Sequence, residues 1–171
     1  MRNLVSLSRY LAVPVLSLAL VACGGGGGGS DDDDDEEALE NINGTYRSEC
    51  FRTSATASTE FTYVARNGEL TITRSDYLDG ACSVNRMDTV TTADYELGDV
   101  VSQDGSVDNI TSATEIDLTS TSAPTVGEIS YSIVARQGDL AYIGEDSGSR
   151  DGTTRAKRHR QLDEDFPLTR Q

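Results

Sequence analysis

The sequence predicts an all-β domain, a single antiparallel meander of about eight strands closed into a small barrel. Three observations carry that expectation. The region from Gly44 to the C-terminus, about 128 residues, is dense in Thr, Ser, Val, Ile and Tyr and poor in long helix-forming runs. Apolar and polar residues alternate there with a period of two, the pattern of an antiparallel sheet with one face in water. Asn67-Gly68 and Gln137-Gly138 sit between alternating segments, and Asn-Gly is a strong hairpin signal because both residues accept positive φ. Short sequential strands joined by tight turns favour up-and-down order and barrel closure. A two-sheet sandwich satisfies the same pattern and stays open as the alternative. The length suits one domain with one modest core.

Strands are expected near 44–50, 60–66, 69–75, 84–97 (one strand or two), 109–119, 128–136, 139–144 and 166–170. Phe61, Tyr63 and Ala65 share one face of the second, with Thr62, Val64 and Arg66 on the other. Leu70 and Ile72 alternate with Thr71 and Thr73, and Ala93, Tyr95 and Leu97 with Asp94 and Glu96. Ile116 and Leu118 alternate with Glu115, Asp117 and Thr119. Ile129, Tyr131, Ile133 and Ala135 form the apolar phase of the next strand, against Ser130, Ser132, Val134 and Arg136. The inward set expected from these phases includes Tyr46, Phe61, Tyr63, Tyr95 and Tyr131. The text Val64-Ala65-Arg66-Asn67-Gly68-Glu69-Leu70 returns as Val134-Ala135-Arg136-Gln137-Gly138-Asp139-Leu140. Little around it aligns, so convergence of two hairpins is favoured over a duplicated half-domain.

Ahead of this region, Arg2 and Arg9 supply a positive start, and an apolar stretch over residues 11–22 is broken only by Ser17. Twelve helical residues rise about 18 Å, short of the ~30 Å hydrocarbon core. Leu20-Val21-Ala22-Cys23 closes the stretch and opens into six glycines. This run resembles the lipobox of bacterial lipoproteins. The resemblance implies a signal peptide over 1–22, lipidation of Cys23 and attachment to the membrane of a bacterial cell envelope. Gly24 after the cysteine is similar to the outer-membrane sorting pattern, and either face of that membrane is left open. Two or three acyl chains hold stably where one does not.

Residues 23–43 read as a tether. Six glycines and Ser30 form a flexible coil, and the acidic block over 31–37 repels itself and stays extended. The domain then spans 44–171, with 21 acids against 12 bases, a formal charge of −9. That balance excludes nucleic acid as a partner, since phosphate contacts need cations. The exception is Arg155-Ala156-Lys157-Arg158-His159-Arg160. Such a strip would suit anionic lipid or glycan, but pairing with its neighbours Asp163, Glu164 and Asp165 is the expectation.

With Cys23 assigned to lipid, Cys50 and Cys82 remain as an even pair in an oxidising compartment, and a disulfide between them is expected. Closing a loop of that size stabilises by roughly 3–4 kcal/mol in the chain-entropy model. Little else points to chemistry. His159 is the one histidine, and its cationic neighbours place it at the surface rather than against a nucleophile. No His/Cys set has zinc spacing and no glycine-rich loop has a phosphate-binding context. No catalytic residue, metal or cofactor is therefore assigned, and the chain reads as non-enzymatic.

Gly44-Thr45-Tyr46 resembles the Gly-x-Trp opening of lipocalin-like (calycin) barrels, with Tyr46 in place of Trp. That resemblance implies a barrel cavity for a small apolar or amphipathic ligand, with the binding side chains unassigned. A structural or protein-interaction lipoprotein, working through its surface on an envelope partner, is the alternative. A carrier would have an unfilled cavity; an interaction module would have a filled core.

Overall fold

The computed structural model describes residues 42–171 apart from Asn85 and Asp108. The signal over 1–22, Cys23 and the tether up to residue 41 lie outside the described residues. Ten strands follow: β1 Gly44–Ser48, β2 Phe51–Ser54, β3 Ala57–Arg66, β4 Glu69–Tyr77, β5 Met87–Val107, β6 Ile110–Ser120, β7 Ile129–Gln137, β8 Leu140–Glu145, β9 Gln161–Leu162 and β10 Leu168–Arg170. A single 3₁₀ turn, Arg155–Lys157, is the helical element among them.

Eight of the strands form a ring in the order β1, β3, β4, β5, β6, β7, β8, β10, with each adjacent pair antiparallel. The seam closes because β1 pairs on both sides, Tyr46 with Tyr63 of β3 and Ser48 with Leu168 of β10. This is the expected up-and-down barrel rather than a sandwich, and its shape is compatible with a lipocalin-like domain. β2 continues along β3 where β1 leaves it, and β9 pairs with the end of β8. Sequence reasoning missed both, because strands of four and two residues have too few alternations to register.

Residues directly opposed in antiparallel strands share a face, so register identifies the interior. Tyr63 opposes Ile72, Leu70 opposes Ala93, Tyr95 opposes Leu118, Ile116 opposes Ser132, Val134 opposes Ile143 and Ala141 opposes Leu168. Ile42, Ala65, Leu70, Ile116 and Val134 form one buried cluster, against which Tyr63 and Tyr95 pack. Tyr46, Ala141 and Leu168 form a second, also joined by Tyr63. Every ring strand thus contributes a side chain to the axis, as eight strands enclose a space that side chains can fill.

β7 reverses the expected phase. Ser132 and Val134 point into the barrel, so Tyr131, Ile133 and Ala135 point outward. Tyr131 is not an inward residue. Ile133 and Ala135 are nevertheless buried, because β5 and β6 extend past the barrel and the chain returns through β9. Val107, Ile110, Ala113, Tyr142 and Leu162 complete a small outer core with them. A strand buried on both faces gives no alternation to read.

The repeated text is likewise threaded in opposite phases. Asn67 (φ 52°) and Gly68 (φ 89°) form the β3–β4 turn, so Arg66 opposes Glu69 and Ala65 points inward. At β7–β8 the turn slips one residue, Gln137 opposes Leu140, and Gly138 alone takes positive φ (59°). Asparagine tolerates the left-handed region and glutamine does so poorly. A one-residue slip exchanges the faces, so Val134 faces in where Val64 faces out. The two hairpins share letters and not geometry.

Candidate functional site

The outer face of β6 and β7 carries the densest polar arrangement among the described residues. Arg158 sits at its centre with its side chain 7% exposed. It donates through Nη1 to the carbonyls of Ile116 and Ser132 at 3.1 and 3.0 Å. It pairs through Nε with Glu115 at 3.2 Å and through Nη2 with Asp117 at 2.6 Å. The Asp117 contact is an ion pair off the hydrogen-bonding direction. The guanidinium also lies over the outward ring of Tyr131, 5.4 Å from its centroid, with Arg155 at 6.0 Å. This explains why Tyr131 points outward: its ring is the platform on which the basic segment lands.

Arg155 reaches Asp117 Oδ2 and Lys157 reaches Asp151 Oδ2, both at 3.1 Å. The basic cluster is therefore self-paired, as expected, but Arg155, Lys157 and Arg158 find Asp117, Asp151 and Glu115 rather than Asp163, Glu164 and Asp165. β6 is far in sequence and near in space, which a local reading cannot see. Asp151 is held down at about 2, first by the Thr153 hydroxyl, then by the Thr153 N–H and Lys157. A surface pocket of about 190 Å³ opens beside Arg155 and Arg158, lined also by Glu96, Asp99, Glu115 and Asp117. Its walls are mostly charged, so it offers no apolar ligand a surface to displace water from.

His159 does not stand in solvent. Its side chain is 13% exposed and bridges Asp146 Oδ1 (2.8 Å from Nε2) and the Ser132 hydroxyl (3.1 Å from Nδ1). Serine, histidine and aspartate in a row invite a nucleophilic reading. Ser132 is only 3% exposed and neither surface pocket described here is lined by it. The arrangement has the geometry of a tie between β7 and the 146–160 segment. Two glycines admit the ring: a Cβ on Gly144 would lie 2.7 Å from His159 Cβ, and one on Gly152 2.8 Å from Nε2. Nothing in the spacing of three residues scattered over 132–159 signals this cluster.

Three rings gather at the end of the barrel away from Ile42. Phe51 stacks on Phe61 at 5.9 Å, and Phe166 meets both edge-on at 5.2 and 5.7 Å. The cleft beside Phe51 and Phe166 holds about 100 Å³, too small for a drug-sized ligand. Of the expected inward set, Tyr46, Phe61, Tyr63 and Tyr95 point along the barrel, and the phenol of Tyr95 donates to Asn43 Oδ1 at 3.1 Å. Burial, helped by the negative charge of Asp163, pushes the Tyr63 phenol up to about 12.

Cys50 and Cys82 are joined in the expected disulfide, 32 residues apart. The bridge lays the β4–β5 connection against β3, where the Ser58 hydroxyl donates to the Asp79 carbonyl and accepts from the Cys82 N–H. Among the described residues, no three His, Cys, Asp or Glu side chains converge on a possible metal position. Comparison of the chain with protein-family models, curated proteins and solved structures finds no match.

Proposed function

We propose that this chain is a lipid-anchored bacterial envelope protein whose barrel is a non-enzymatic structural or interaction module acting through its outer surface. The apolar clusters inside the barrel carry the reading. Two joined clusters with side chains from all eight ring strands and from Ile42 occupy the axis, while charged and hydrogen-bonding groups are displayed outside. The anchor rests on the resemblance of Leu20-Val21-Ala22-Cys23 to a lipobox, and a glycine-rich acidic tether would give such a module reach. The formal −9 of the domain favours cationic or neutral partners over nucleic acid. The carrier reading has the barrel shape in its favour, but a ligand would have to share the interior with Tyr63, Tyr95 and Leu118, which pack against the buried cluster.

The test uses the full chain in its own envelope. Native mass spectrometry after exposure to an envelope extract should give the apo mass, while photo-crosslinkers on the outer face should trap a discrete partner band. Cys23→Ala should abolish palmitate labelling and release the protein from the membrane fraction. A reproducible small-molecule adduct, with no crosslinked band, would overturn the surface reading in favour of a carrier.

A further inference from the structure

The Cys50–Cys82 bridge lies outside the ring of strands. Cys50 sits between β1 and β2, and Cys82 in the connection from β4 to β5. The barrel seam closes through the pairing of β1 with β3 and β10, so the ring does not depend on the bridge. The β4–β5 connection is also closed on itself. Asp79 accepts from the Ser83 and Val84 N–H groups and from the Ser83 hydroxyl, and the Leu78 N–H donates to the Val84 carbonyl. A bridge that fastens one self-closed loop to a closed barrel can open without unfolding the domain.

The two sulfurs stand in different surroundings. Cys50 is exposed and lines the cleft of about 100 Å³ with Phe51, Phe166, Pro167, Glu49 and Asp165. That space is ample for a thiol and the carbon that bears it. Cys82 is half-buried, and its backbone sits in the left-handed region (φ 52°). Among the described residues, the other non-glycine positions held there are Asn67 and Asn109. Asparagine compensates through its short polar side chain, and cysteine has no such means. The Cys82 N–H donates to Ser58 Oγ at 3.1 Å, and the same Oγ lies 3.2 Å from Cys82 Sγ. Ser58 is 1% exposed, so water does not compete for its hydroxyl.

We propose that this bridge is a thiol-exchange site, attacked at Cys50 and released at Cys82. An incoming thiolate bonds to Cys50 Sγ, the Cys50–Cys82 bond breaks, and its electron pair leaves on Cys82 Sγ. One disulfide replaces another and one thiolate replaces another, so there is no net oxidation. The exposed sulfur receives the nucleophile. The protected one departs, and it departs faster when its thiolate is stabilised. The Ser58 hydroxyl supplies that stabilisation. Its proton, donated to the Asp79 carbonyl in the closed bridge, turns onto Cys82 Sγ while the Cys82 N–H polarises the oxygen. Departure also frees Cys82 from its left-handed backbone. Glu49 and Asp165 at the cleft select a neutral or cationic thiol over an anionic one. The product is a mixed disulfide on Cys50, a covalent hold on a thiol-bearing partner. The inference needs only the bridge and is independent of the surface-acting reading.

Exchange of the full chain with cysteamine tests it, with Cys23→Ala so that no other cysteine competes. Acid quenching at early times, maleimide alkylation and peptide mass mapping should place cysteamine on Cys50 and the maleimide on Cys82. The rate should be flat in urea below the unfolding transition, because the folded protein reacts. A bridge opened only by unfolding would react faster with every increment of urea. Normalised to their rates with hydroxyethyl disulfide, cysteamine should exceed 3-mercaptopropionate by about fivefold at low salt, and high salt should close the gap. Ser58→Ala should slow the reaction roughly tenfold, the worth of one hydrogen bond to a charged group. Cysteamine found chiefly on Cys82, a rate that climbs with urea from zero, equal normalised rates for the two thiols, or a Ser58→Ala protein no slower than its parent would each overturn the proposal. The first three are read with Ser58 in place, so they decide even where Ser58→Ala fails to fold.

Discussion

At the scale of single residues, Arg158 does the most. One guanidinium hydrogen-bonds two strand carbonyls, lies in ion-pair range of two carboxylates and covers an aromatic face, and so fastens the 150–160 segment to β6 and β7. Removing one partner of a buried ion pair leaves the others uncompensated. Arg158→Met should therefore cost about 3 kcal/mol in urea unfolding, and Asp117→Asn in that background should recover part of it. Tyr63 makes a second prediction. Its phenol ionises near 12 in the folded chain rather than 10.0, because burial disfavours the phenolate. A folded value above the unfolded one means the contribution is complete below pH 10 and is lost as pH rises through about 12. Alkaline unfolding should thus steepen over that window, and Tyr63→Phe should flatten it while removing one late-titrating phenol from the ultraviolet titration.

At the scale of elements, turn chemistry decides which face a strand presents. Asn67 and Gly68 both take positive φ, and this sets Ala65 and Leu70 inward. Asn67→Gln places a residue with no local hydrogen-bonding compensation in the left-handed region, at about 1 kcal/mol or more. Gln137→Asn should be nearly neutral, since only Gly138 is left-handed there. Chemical denaturation of the two variants checks both halves of that contrast. The same logic explains what was legible in the sequence. β3, β4 and β6 each have one wet face, so alternation located them to within a few residues, and it placed Tyr63 and Tyr95 inside; β5 was found, but it runs past the expected end at 97 to Val107. The disulfide was legible because only two cysteines remained once Cys23 was set aside. β7 was located but read on the wrong face, since Ile133 and Ala135 are buried outside the barrel by β9 and the far ends of β5 and β6. The Ser132, His159 and Asp146 tie was illegible, because its parts meet only after the 146–160 segment folds back onto β7.

At the scale of the whole molecule, apolar clusters run along the interior, with Phe51, Phe61 and Phe166 gathered toward one end and Ile42 toward the other. A lipid-facing barrel would show the reverse, an apolar band outside and a polar lumen. Ile42 precedes the Gly44 at which the composition changes, yet it is 9% exposed among Ala65, Leu70, Ile116 and Val134. Asn43 beside it accepts from the Asn67 N–H and the Tyr95 hydroxyl. The chain immediately before β1 thus lays a side chain into the barrel's apolar cluster. Ile42→Ala is the decisive perturbation, because it opens that cluster without touching a ring strand. A filled barrel should lose about 2–4 kcal/mol, the cost of a buried large-to-small change. Because the remaining side chains still occupy the axis, a long-chain fatty acid should restore none of that loss in thermal unfolding. A barrel with carrier capacity would behave oppositely, gaining ligand-dependent stability once that side chain is gone. Wild type and variant, each melted with and without the fatty acid, separate a module that works from its outer wall from one that works from its centre.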